Sequence, residues 1–262
     1  MNPIGLAAQT IPGLDPVATV EIAAAAGFDM VGLTIEPATW QPATTVAVRH
    51  ALAETGLIAI DAEVIRIRDR FTDAFAKLLD IAGAIGVRHA LCVSFQPDRS
   101  ATVETLAAIA AHAASVGVRP ILEFGAFSAV ARLQDALSIA AAVPGLAILV
   151  DPLHLARSGG RPVDIRAAPL DLLPYAQFCD GGPEPDDISP AALLDEARLA
   201  RWDIGTGTLP LRGVLDALPR GIALSNEVRS TALEHVWPDP LDHARHLAGT
   251  MRTWLAQQET TR

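Results

Sequence analysis

Short, near-continuous apolar runs recur along this chain, and several of them close on an acidic residue. IGLAAQ (4–9), GFDMVGLTIE (27–36), GLIAIDAEV (56–64), VRHALCVS (87–94), VRPILEFG (118–125), LAILVD (146–151), YAQFCDG (175–181) and IALSNEV (222–228) make eight candidate strands. They are apolar throughout rather than alternating, as in a parallel sheet covered on both faces. Between them, VATVEIAAAAG (17–27), TTVAVRHALAETG (44–56), FTDAFAKLLDIAGAIG (71–86), ATVETLAAIAAHAASVG (101–117) and FSAVARLQDALSIAAAV (127–143) space apolar residues as a helix with one buried stripe does. Most of these segments stop at a glycine, which enters the left-handed conformation freely.

Strict alternation of strand and helix, at the roughly 30-residue repeat of a strand–helix unit, predicts a (β/α)8 barrel. The rival open, doubly wound sheet lacks its usual signature. No GxGxxG loop follows the first strand, which runs into AAQTIPGLDP, and there is no Walker A loop. Residues 1–262 therefore read as one barrel domain with a top-face insertion at about 180–211. That insertion begins acidic and proline-rich, continues as an amphipathic helix, SPAALLDEARLA, and is expected to form a partial lid. The glycine-spaced IGTGTLP within it reads as a turn rather than a phosphate cradle, and the final QQETTR as a short tail.

Charge narrows the partners. With 20 Lys and Arg against 30 Asp and Glu, the formal net charge is −10, which argues against nucleic acid but leaves room for a local basic pocket. Cys92 and Cys179 form neither a disulfide framework nor a zinc knuckle, and a reducing cytoplasm is the expected setting. Neither a signal peptide nor a membrane span is predicted, since Pro144 and Gly145 break the longest apolar stretch.

In a barrel of this kind, chemistry collects where the strands end. Glu123 ends the fifth strand, Asp151 the sixth with His154 just beyond, Gln177 and Asp180 lie at the seventh, and Glu227 and Arg229 at the eighth. The third strand carries Asp61 and Glu63, and Glu36 ends the second. Any one of these acids could be a helix cap or a solvated loop residue, and Asp61 and Glu36 are read that way. Glu123, Asp151 and Glu227, however, close runs that should be buried, and buried carboxylates are costly unless paired or bound to metal. With Gln177 as a neutral fourth ligand, the four suit Mn2+ or Mg2+ better than Zn2+.

Acids at strands five, six and eight, with a histidine just past strand six, resemble the xylose-isomerase-like superfamily, and within it the sugar phosphate isomerase/epimerase group. The resemblance implies that Glu123 and Glu227 are metal ligands and the acid/base pair, that Asp151 is a metal ligand, and that His154 contacts substrate. Gln177 stands where the family more often has a histidine ligand, which puts zinc in doubt. Pro183 stands where the family has an arginine, so Arg198 or Arg201 of the insertion is the candidate replacement. The many histidines of the endonuclease IV branch are missing. A homodimer is compatible with the resemblance.

The expected activity is a metal-dependent isomerase or epimerase of a small sugar or polyhydroxy-carbonyl compound. Glu123 and Glu227 would exchange a proton through an enediolate, and His154 would steady the developing oxyanion. Two alternatives stay open. One is a dehydratase, with Glu63, His89 or Asp180 as the acid at the leaving group; the other is a barrel that only binds a metabolite. Trp40, in EPATWQP after the second strand, is either a stacking platform over the sugar or packing.

Overall fold

The computed structural model describes residues 2–260. Its eight strands are β1 (Ile4–Leu6), β2 (Met30–Thr34), β3 (Ile58–Ile67), β4 (His89–Ser94), β5 (Arg119–Glu123), β6 (Ala147–Leu149), β7 (Tyr175–Phe178) and β8 (Ala223–Asn226). All pairings are parallel, in the order β6-β5-β4-β3-β2-β1-β8-β7. The edges β6 and β7 meet at a parallel bridge between Val150 and Ala176, where Gln177 N–H donates to the Val150 carbonyl at 3.1 Å. The result is a nearly closed (β/α)8 barrel, and the open-sheet alternative is excluded.

The helices are α1 (Pro16–Ala25), α2 (Pro42–Thr55), α3 (Asp73–Ile85), α4 (Arg99–Ser115), α5 (Leu133–Ala140), α6 (Pro152–Arg157), α7 (Pro162–Ile165), α8 (Pro190–Leu199), α9 (Leu211–Ala217), α10 (Thr231–Val236) and α11 (Pro240–Thr260). Their starts follow from local chemistry. Asp15, Thr72, Asp98 and Ser189 accept hydrogen bonds from the first free backbone amides of α1, α3, α4 and α8. Gly56 and Gly86 end α2 and α3 in the left-handed conformation. Two expectations need correction. The segment 127–132 is a loop, so α5 starts at Leu133. QQETTR is no tail as far as Thr260, because α11 runs through it; the last two residues lie outside the described ones.

One apolar layer separates the strands from the helices and contains Leu33, Leu106, Phe124 and Met251. A smaller cluster with Met30, Leu91, Ile121, Leu149 and Tyr175 forms a second core. None of the helices is long and apolar enough to cross a membrane.

The insertion after β7 folds over the barrel mouth. Arg157 at the end of α6 clamps α8 by two bonds to Glu196, at 2.7 and 2.9 Å, and donates to the carbonyls of Gly182 and Pro183. The Asp180 carboxylate accepts from the backbone amides of Gly181, Gly205, Gly207 and Leu209. The glycine-spaced loop does cradle an anion, but the anion is the chain's own. Its amides and Asp180 are committed to each other, which corrects the reading of Asp180 as a substrate acid.

Candidate active site

A small cavity opens at the C-terminal end of the strands, lined by Glu63, Glu123, His154, Arg201 and Glu227, among others. Asp151 lies against this set. It is the N-cap of α6, its Oδ1 accepting from Leu153 N–H at 2.7 Å and from His154 N–H at 3.3 Å. The cap explains why a histidine follows three residues later: the first turn of α6 swings His154 back toward the carboxylate. Capping and participation in the site are here the same geometry.

Glu123, Asp151 and His154 each offer one ligand atom, all within 4.8 Å of one another and all from buried residues, a set able to hold a metal ion. His154 Nε2 is 3.5 Å from Glu123 Oε1 and 3.9 Å from Asp151 Oδ2. Phe127 packs edge-on against the imidazole with ring centroids 4.9 Å apart.

The unexpected occupant is Arg201. It is 2% exposed, and its guanidinium joins Asp151 Oδ2 at 2.5 Å to Glu227 Oε2 at 2.6 Å. Its Nε donates to the Ala197 carbonyl, Nη1 also reaches Cys179 Sγ at 3.0 Å, and Nη2 faces His154 Nε2 at 3.3 Å. A guanidinium can only donate, so His154 Nε2 is an acceptor here. That is the reverse of the donor role expected for steadying an oxyanion. Glu227 Oε2 lies close to Arg201 without a well-aligned hydrogen bond.

Burial raises the cost of every charge in this cluster, and the neighbours decide the outcome. Burial, with Glu227 and Asp151 adding like charge, holds Glu123 well above the usual carboxylate range. Glu63 is raised in the same way by burial and by Asp61, Glu227 and Glu123. Burial lifts Glu227 to about 7 although Arg201 opposes it. For Asp151, burial pushes upward too, but Arg201 and His154 outweigh it and leave the group at about 2. Burial lowers His154 to about 4, so the imidazole is neutral at pH 7.

The residues fit a divalent cation. Gln177 donates through Nε2 to Glu63 Oε1 at 3.0 Å, which leaves its amide oxygen buried and without a partner. Arg201 pairs with Asp151 and Glu227 alone, which leaves Glu63 and Glu123 without an ion-pair partner of their own among the described arginines. Buried carboxylates, an imidazole and an orphaned amide oxygen are donors that a divalent cation can use.

The remaining candidates separate. Arg198 and Arg229 line the cavity, Arg229 donating to Gln9 Oε1 at 3.1 Å. His89 does not: it lies at the start of β4, the opposite end from the mouth, with Nδ1 2.9 Å from the Ile60 carbonyl and its ring 5.2 Å from that of Tyr175. Its proposed acid role is therefore corrected to packing. Trp40 bonds Thr45 Oγ1 through Nε1 and lines a separate cleft with Pro12, Thr34 and Glu36. It provides no wall of the acid-lined cavity.

Three contributors escaped the sequence reading. Arg66 comes from β3, beyond the point where that strand was expected to end. Phe127 comes from a segment read as helix. Gln9 follows β1 with φ of 58°, a left-handed backbone uncommon outside glycine and asparagine, and aims its side chain at Arg229. A longer β3, argued from the alternating IRIR at 65–68, was the one signal available.

The fold has counterparts among solved structures. The IOLI protein, whose structure holds a bound zinc atom, matches over 98% of this chain and 99% of its own with a TM-score of 0.83 and 13% identity. A D-allulose 3-epimerase from Methylomonas sp., in complex with D-allulose, matches over 98% and 97% with a TM-score of 0.72 and 18% identity. A xylose isomerase-like TIM barrel/4-hydroxyphenylpyruvate dioxygenase fusion protein matches 95% of this chain at a TM-score of 0.80 and 21% identity, and the chain spans 42% of that protein. At such identities the likeness is one of fold. No curated protein matches the sequence. Residues 20–254 match the sequence profile of the xylose isomerase-like TIM barrels, and the chain belongs to that family.

Proposed function

We propose that this protein is a divalent-metal-dependent isomerase or epimerase of a small sugar or other polyhydroxy-carbonyl compound. The observation that carries the reading is that Glu123 and Glu227 face one cavity with burial holding both carboxyls above their ordinary range. Glu227, lifted to about 7, can both accept and return a proton, as a reversible transfer at carbon requires, and Glu123 is shifted in the same direction by burial. Glu123, Asp151, Gln177 and Glu227 are the proposed metal ligands, with His154 the further donor that the geometry places beside the first two. The metal would polarise the carbonyl and stabilise an enediolate. Hard oxygen donors favour Mn2+ or Mg2+ over Zn2+, although the IOLI protein holds zinc.

The chain's own groups supply the rest. One glutamate removes the proton alpha to the carbonyl and the other returns it, while Arg201 holds the Asp151 and Glu227 carboxylates in place. Leu194 and Ala197 of α8 add apolar wall to the cavity. D-allulose bound to the Methylomonas epimerase makes ketoses the first compounds to try.

The test is NMR of a ketose and hydroxy-carbonyl panel in deuterated water with Mn2+, beside metal analysis of the purified protein. Exchange of one C–H for C–D is expected, slowed about 100-fold or more in both Glu123→Gln and Glu227→Gln. Near wild-type exchange in both variants would sink the proposal. A product lighter by one water would replace it with dehydration.

A further inference from the structure

The cavity has two chemically distinct ends. Its floor is acidic, built from Glu63, Glu123 and Glu227, whereas its rim carries Arg66 from β3, Arg198 from α8 and Arg229 from the loop after β8. Three elements distant in sequence thus bring guanidinium groups to one opening in a chain of net charge −10.

These arginines make no ion pair with any described residue, although the charge of Arg229 works against the raised carboxyls of Glu63, Glu123 and Glu227. The fourth arginine of the lining, Arg201, is neutralised by Asp151 and Glu227, and Arg157 nearby is held by Glu196. By contrast, Arg66 and Arg198 form no hydrogen bond or ion pair with any described residue, and Arg229 donates only to the neutral Gln9 amide. A single solvated arginine such as Arg49 needs no explanation. Three around one cavity do, since like charges that share an opening raise one another's cost. The cost registers at Arg66, whose exposed side chain is partly desolvated at the rim and whose basicity is lowered by that and then by Arg198, with Arg229 and Arg68 adding to it and Glu63 opposing it. Arg68 itself lies over the ring of Phe95, another cavity residue, with its guanidinium carbon 4.7 Å from the centroid. Such a rim is relieved by an anion from outside.

We infer that the substrate carries a terminal anionic group, a carboxylate or a phosphate, which Arg66, Arg198 and Arg229 receive at the rim while its hydroxy-carbonyl end reaches the acidic floor. Guanidinium forks suit both anions, because each presents paired oxygens to two N–H donors. The polarity also fixes the direction of entry. An anion is attracted by the arginines at the mouth and meets carboxyl groups at the floor, so the reacting carbon enters first. The inference rests on the isomerase reading for the orientation of the carbonyl, but the anion site stands on the arginines alone.

Three four-carbon probes test it: erythritol, erythronate and erythritol 4-phosphate, titrated calorimetrically into the full chain with Mn2+ at low ionic strength. At least one anionic probe should bind about tenfold or more tighter than erythritol, and which one does so distinguishes carboxylate from phosphate. In the Arg66→Gln/Arg198→Gln double variant that margin should shrink to about threefold or less with erythritol unchanged. Both side chains are exposed, so the variant should fold. Equal affinity for charged and neutral probes, no binding of either anion, or a margin that survives the double substitution would each overturn the proposal. The two readings fail separately: an intact margin without C–H exchange removes the isomerase, and exchange without a margin removes the anion site.

Discussion

Two hydrogen-bonded rungs cross the barrel between β3 and β7. In the lower rung the Tyr175 hydroxyl donates to Asp61 Oδ2 at 2.6 Å; in the upper, Gln177 Nε2 donates to Glu63 Oε1 at 3.0 Å. Each rung is two residues further along both strands, so both side chains of a strand share one face. Their surroundings differ. The lower rung lies beside the neutral His89 ring among apolar residues. The upper one opens into the cavity through Glu63, and each rung leaves one buried oxygen without a partner, Asp61 Oδ1 below and Gln177 Oε1 above. One pair of strands thus supplies one acid enclosed in the core and one that faces the cavity. What separates them is whether a cation or a ligand can reach the carboxylate.

The sharpest way to break the comparison is to remove the cation from the upper layer. Arg201→Met leaves Asp151 and Glu227 buried without a counter-charge, and should cost about 3–5 kcal/mol of folding free energy in metal-free protein by urea denaturation. Mn2+ should stabilise this variant more than the wild type, because the metal then supplies the only positive charge in the floor. Equal stabilisation of both proteins would show that metal and Arg201 do not share the carboxylates.

The lower layer should register in pH. Burial raises Asp61 to about 6 from 3.8, with the Tyr175 hydrogen bond opposing. A raised acid binds its proton more tightly when folded, so its contribution is largest below pH 4 and is lost as pH rises to 6. The loss should approach about 3 kcal/mol. Asp61→Asn removes that term and keeps an oxygen for Tyr175. The stability of Asp61→Asn relative to wild type should therefore improve between pH 4 and pH 7, and a flat difference would place the proton elsewhere. His89 acts in the opposite sense. Burial lowers it to about 4, so stability falls as pH drops below 6.5, which is why the comparison must be between variants.

The rungs also show what the sequence could reveal. The barrel was legible because covered parallel strands must be apolar throughout and a glycine stop recurs before several of them. The strand-end acids were legible because each interrupts a run that has to be buried. Asp61, read as a cap or solvated loop residue, is instead fully buried within β3 against Tyr175, because period two puts it on the face of Glu63 and says nothing of depth. His89 was misplaced for a related reason: a histidine early in an apolar run lies at the bottom of the barrel, and only the direction of the strand shows it. The role of Arg201 depends on a contact across 50 residues to Asp151, which no local pattern encodes. Asp180 looked available because three of its four amide partners, Gly205, Gly207 and Leu209, come from a loop whose path is set by the fold.

The finest test swaps the rungs' donors one at a time. Tyr175→Phe leaves the buried Asp61 carboxylate without its donor and should cost about 1–3 kcal/mol, while Mn2+ affinity, measured by calorimetry, stays within about twofold of wild type. Gln177→Met removes a side chain whose oxygen is already unpartnered, so the stability loss should be the smaller of the two. The same change takes away a proposed ligand, and Mn2+ affinity should fall about tenfold or more. If both substitutions weaken metal binding alike, the two rungs form one electrostatic unit and the division between them fails. If neither does, Gln177 is a strut for Glu63 and the ligand set contracts to Glu123, Asp151 and His154, the three whose ligand atoms already converge.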